Sequence, residues 1–117
     1  MQRFIIEMGT GTSLHRRDYS EAAKRAIEDA IRHSTIPMLK TLEIDHREMR
    51  VDVTVGVQAP DQVDAAVLKA GLPRGTVTVK VVHGGLDVTN PDSGEVNVVA
   101  TAAVEAFLST EMVRARV

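Results

Sequence analysis

The chain has 117 residues, 44% hydrophobic and 26% charged, with Phe4, Tyr19 and Phe107 as its aromatics and no cysteine. That length suits one domain, residues 1–117, and the missing cysteines exclude disulfides, thiol chemistry and Cys-ligated metal. A net charge of −2 supplies no basic field for nucleic acid, and three aromatics give few platforms for stacking bases.

No apolar run approaches the roughly eighteen residues of a membrane span. Arg3 and Glu7 interrupt any signal-peptide core at the start of the chain. A soluble, cytoplasmic protein with no membrane and no nucleic-acid partner is the expectation.

In chain order, Phe4 to Met8 is short, β-rich and closed by Gly9 and Gly11, which predicts a buried strand running into a loop over Gly9 to Asp18. Asp18 and Glu21 have capping-box spacing and open an amphipathic helix from Tyr19 to His33. Its stripe is Ala22, Ala23, Ala26, Ile27, Ala30 and Ile31, so small that the helix can lie close to the sheet it covers. Ser34 to Arg47, with Pro37 ending the helix, has no clear period and reads as a connection.

Met49 to Val57 alternates strictly and predicts a strand with one buried face. Pro60 and Asp61 start a short helix with a stripe at Val63, Ala66, Val67 and Ala70, ended by Gly71 and Pro73. Thr76 to Val82 alternates again, with Lys80 facing outward. His83-Gly84-Gly85 breaks that strand, and Asn90 to Gly94 is turn chemistry. Val96 to Leu108 fits both a strand and a helical stripe; a strand completes a hairpin with the preceding one. Residues 110–117 read as a loosely held tail.

The resulting expectation is an α/β (α+β) two-layer sandwich, a four-stranded sheet with two helices on one face in the order β-α-β-α-β-β. Such a sheet leaves a Val- and Thr-bearing face open, which points to a homo-oligomer.

The segment Glu7 to Asp18 carries the candidate chemistry. Glycines after a strand and before a helix could aim backbone N–H groups at an anion, with Arg16 and Arg17 adding charge. It is neither a dinucleotide fingerprint nor a P-loop, because the third glycine and the Gly-Lys-Ser/Thr ending are missing. The structural alternative is that Gly9 and Gly11 serve a positive-φ strand exit. His15 and His83 each adjoin a glycine-rich exit and could meet Glu7 at one sheet end, as a proton-transfer group. No tight metal-ligand spacing accompanies them, so no metal or cofactor is expected. Gly84 and Gly85 would complete the ligand-binding set. His33 and His46 read as surface residues.

Gly9-Thr10-Gly11, continuing to His15, together with Ala22 to Ala26, Ile36-Pro37, Gly75 to Val79 and Val82 to Leu86, resembles a family of small conserved hypothetical proteins of bacteria and plants. That family is marked by an N-terminal G-x-G-x-D-x-H-G motif. Ser13 stands here in place of its Asp, and Arg16 in place of its final Gly. The resemblance implies no particular reaction.

The element order and the Gly84-Gly85 turn also resemble one repeat of the ring-opening amidohydrolases, the cyanuric acid hydrolase and barbiturase group. That likeness implies a trimer with sites between subunits, although the Lys and Ser pair of those enzymes is not matched. Two functions follow as expectations. One is a small-metabolite site for an anionic or amide-bearing ligand, with amide hydrolysis as its chemistry. The other is a non-catalytic ligand-binding or protein-interaction module.

Overall fold

The computed structural model describes residues 2–14, 17–32, 49–72 and 76–109. The connection 34–47, the tail 110–117, His33, His46, His15 and Arg16 lie outside the described residues. The described elements are β1 (Gln2–Ser13), α1 (Tyr19–Arg32), β2 (Arg50–Val57), a 3-10 turn (Pro60–Gln62), α2 (Ala65–Ala70), β3 (Thr76–His83), β4 (Leu86–Thr89) and β5 (Val96–Leu108).

The mixed α+β architecture agrees with expectation, with two helices and one sheet among the described residues. The strand count does not. The sheet has five strands in the order β1-β5-β2-β3, with β4 also pairing β5. The unexpected strand, β4, lies between the break at His83-Gly84-Gly85 and the turn at Asn90 to Gly94, in a stretch to which the sequence reading assigns no element. It is four residues long and bounded by Gly85 and Asn90, too short to show a period.

β5 is the spine. β1 runs antiparallel along one side of it, from Gln2 opposite Leu108 to Ser13 opposite Val98. On the other side β2 pairs with Thr101 to Phe107, and β4 takes over at Val96 to Val99. This double pairing decides the ambiguity of residues 96–108, because alternate residues Val98, Ala100 and Ala102 are buried in the core with α1, and Ala106 and Leu108 are buried further along the same face. β3 lies parallel to β2 at the far edge.

Why α1 forms is legible locally. Asp18 Oδ1 accepts from the Glu21 amide at 3.0 Å, the N-cap half of the expected capping box. Arg25 pairs with Glu21 at i,i+4, and Ala22, Ala23, Ala26, Ile27 and Ala30 are buried. The core adds Val53, Val55 and Val57 of β2 to this stripe, with Leu68 of α2 and Val63 just before it. Each buried valine contributes on the order of 1.5–3 kcal/mol.

The two sides of the layer are unequal in thickness. Near β1 and β5 the sheet offers Gly9, Gly11, Ala100 and Ala102, and the α1 backbone lies directly on them. Near β2 and β3 valines hold the layers apart.

For α2 the expected stripe of Val63, Ala66, Val67 and Ala70 is corrected. Val63 precedes the helix and is buried with Leu68, while Ala66, Val67 and Ala70 are exposed. The helix begins only at Ala65 and turns Leu68 to the core, so the face that bears Ala66, Val67 and Ala70 points away from it.

Candidate functional site

Gly9 and Gly11 do not form a loop at a strand exit; they lie inside β1 with no positive φ, which among the described glycines belongs to Gly85 and Gly94. A Cβ on Gly11 would run into Ala22 O and Ala26 N, and one on Gly9 into Ala30 N and Ala26 O. The glycines are therefore required by the approach of α1.

Their backbone donors are also committed. Thr10 N donates to Asp29 Oδ2 at 3.0 Å and Thr12 O accepts from Arg25 Nη1 at 2.6 Å, so the backbone of these residues faces away from β5. Gly9 and Gly11, opposite Ala102 and Ala100, then turn both polar groups into the β5 ladder. No donor is left there for an anion.

The structure does not bring Glu7 and His83 together. Gly11, Ala100, Val57 and His83 lie along one row across β1, β5, β2 and β3, three strand spacings or about 14 Å from end to end. Glu7 belongs to the row of Val104, Val53 and Val79, four residues further along, which separates it from His83 by roughly 20 Å. Glu7 is half-buried on the helical face, and His83 is exposed at the end of β3.

Gly84 and Gly85 carry the chain over the end of β2. Gly84 N donates to Val57 O at 2.9 Å, and Gln58 Nε2 donates to both glycine carbonyls at 3.1 Å. Gly85, at φ +62°, lies against Val99 O and Gly56 O. Both glycines serve the crossing from β3 to β4.

Arg17 is where polar groups do converge. Its φ of +49° is uncommon for a residue with a Cβ. Its Nε donates to Tyr19 Oη at 3.3 Å, Tyr19 Oη donates to Asp87 Oδ2 at 2.5 Å, and Arg17 Nη2 lies 3.7 Å from the same oxygen. The Tyr19 hydroxyl, and after it Asp87, holds the Arg17 guanidinium above its ordinary pKa. Ser13 Oγ accepts from Asp18 N at 3.2 Å, which fixes the turn from below.

Asp87 Oδ1 is buried without a hydrogen-bond partner among the described residues. Because Arg17 is balanced by Asp87, the cluster presents no net field to an anion; its evident work is to latch the start of α1 to β4. Removing the hydroxyl with Tyr19→Phe is expected to cost about 1–2 kcal/mol, read as a lower midpoint in urea unfolding at unchanged slope.

The sequence reading missed Tyr19 and Asp87. The signals available were a lone tyrosine just after a helix cap and an aspartate between Leu86 and Val88. Among the described residues no three His, Asp or Glu side chains converge as a metal site, and no helix is long and apolar enough to cross a membrane.

Among the described residues no element covers the sheet face opposite the helices. Ile6 is 45% exposed, Met8 66%, Leu86 60% and Val88 48%, and all four belong to rows on that face. Arg3 pairs with Glu105 at 3.2 Å, and Arg50 with Asp52 at 3.4 Å while stacking on Phe107. Lys80 is exposed on the same face.

Comparison with known families decides the affiliation. The family model described as a conserved hypothetical protein, Lin0512, matches residues 3–106. The chain belongs to the Lin0512 family. A crystal structure of an FtsZ-like protein of unknown function from Nostoc punctiforme is similar to it with a TM-score of 0.78. That likeness has 33% sequence identity and covers 92% of this chain and 95% of that one. No curated protein matches. The Lin0512 match takes in β1 to β4 and most of β5, the whole sheet that bears the open face.

Proposed function

We propose that this protein is a non-catalytic interaction module that works as a homo-oligomer, with the open sheet face as its contact surface and a second copy as the occupant. The observation that carries this reading is the exposure of Ile6, Met8, Leu86 and Val88 on one sheet face that no described element covers, as two pairs roughly 16 Å or more apart. Four large apolar side chains exposed on a single face ask for a partner broad enough to cover both pairs.

Size supports a second copy. Four strands at about 4.8 Å spacing and the 13 residues of β5 at about 3.3 Å each outline roughly 800 Å². A standard stable interface buries about 800 Å² per partner. Charge agrees, because Arg3, Arg50 and Lys80 share the face with Asp52 and Glu105. A second copy laid over it therefore meets both signs and no uniform repulsion.

The metabolite reading has less to stand on, since Gly9 and Gly11 have no free donors and Glu7 lies far from His83. The experiment is sedimentation of the wild type beside Met8→Glu/Leu86→Glu. The wild type is expected to sediment at a larger mass than the double variant, which loses the open-face contact and keeps a melting temperature within a few degrees; equal masses for the two overturn the reading. A monomeric wild type at high micromolar concentration overturns the reading.

A further inference from the structure

The two edges of the sheet are treated differently. At β1, side chains of α1 occupy two of the outward backbone groups, with Asp29 on Thr10 N and Arg25 on Thr12 O. No described element pairs with the outer side of β3. β3 has eight residues, Thr-Val-Thr-Val-Lys-Val-Val-His, with no proline and no bulge against β2. Such an edge is a template for another strand.

Backbone directions along β3 follow from its neighbours. Thr76 N donates to Met49 O, and Gly84 N donates to Val57 O, both at 2.9 Å. Even-numbered residues therefore bond inward to β2, and Val77, Val79, Val81 and His83 direct their N–H and C=O groups outward.

We infer that β3 pairs antiparallel with β3 of a second copy about a two-fold axis through Val79. This contact is distinct from the open-face contact and does not depend on it. In an antiparallel pair the outward groups must meet outward groups, so odd residues face odd residues.

Two such registers overlap best, since centring on Val81, or pairing Val77 with Val79, shortens the ladder. A register pairing Val79 with Val81 sets Lys80 directly against Lys80 of the second copy, and like charges directly opposite are destabilising. The register through Val79 pairs Val77 with Val81 on the helical face. On the open face it sets Lys80 against Thr78, so the two cations are staggered.

The helical layer fits the same axis. α2 packs over β3, and its Ala66, Val67 and Ala70 are left exposed in the single chain. A two-fold at Val79 draws two α2 helices toward one another.

The test uses the absence of native cysteine. Thr78→Cys and Lys80→Cys, both at exposed positions, are made separately in the Met8→Glu/Leu86→Glu background. That background removes the open-face contact, so failure of one proposal is told apart from failure of the other. Opposed residues at a pair without mutual hydrogen bonds have Cα atoms about 4.5 Å apart, within disulfide range.

After mild oxidation, the one-to-one mixture is expected to give mostly a disulfide linking position 78 to position 80. Either variant alone should give several-fold less dimer. Self-linking of Lys80→Cys or of Thr78→Cys at the level of the mixture overturns the register, and no linking in any arm overturns the pairing. A second measurement, amide exchange by NMR in that same background without the cysteines, should show the Val77, Val79 and Val81 amides slowing as protein concentration rises. Concentration-independent exchange also overturns the pairing.

Discussion

Gly11→Ala should cost at least about 3 kcal/mol, at or above the upper end of overpacking penalties. The melting temperature should then fall by more than about 10 °C for a domain of this size. The added methyl meets Ala22 O and Ala26 N, which are main-chain atoms of α1 and not the far end of a side chain that could swing away. Relief requires lifting the helix from the sheet, which opens gaps around Ile27 and Tyr19 as well. Gly9→Ala should behave alike, since its methyl meets Ala26 O and Ala30. A melting temperature within 2 °C of wild type, by calorimetry, would show that α1 does not lie where we describe it.

Gly85→Ala should be comparably damaging for a different reason. Gly85 has φ +62° and its added methyl would meet Val99 O and Gly56 O, so conformational strain and a main-chain clash act together. Gly94 provides the internal control, because it has φ +75° with nothing within 4 Å of the added Cβ.

The Gly94→Ala cost should therefore be the conformational part alone, about 1 kcal/mol. The difference between the two variants isolates the clash. Gly85→Ala should also detach β4, seen as faster amide exchange at Leu86 to Thr89 and at their partners Val96 to Val99. Equal melting temperatures for the two alanine variants would refute this assignment.

Much of the layout was legible locally. The strict alternation of Val51, Val53, Val55 and Val57, the Asp18 cap and the alanine stripe of α1 each specify an element without knowledge of its neighbours. Gly9 and Gly11 were misread as a loop because glycine usually interrupts a strand, and here the reason for glycine sits on another element. The clue was nevertheless present, since an alanine-faced helix that comes very close to a sheet needs glycine beneath it.

The Arg17, Tyr19 and Asp87 cluster was not legible in the same way. Tyr19 and Asp87 are 68 residues apart and meet through the pairing of β4 with β5, a register no local pattern specifies. Likewise the exposed face of α2 was misread as its core stripe, because period alone does not say whether a stripe faces its own core or the outside.

The carboxylate of Asp29 and the guanidinium of Arg25 act as stoppers along one margin of the sheet. A ribbon with one margin plugged adds a neighbour on the other margin only. Once that margin is occupied by an identical ribbon, the outer margins of the pair are the two that carry these stoppers. Addition of a third ribbon is then disfavoured by two charged side chains placed on a helix.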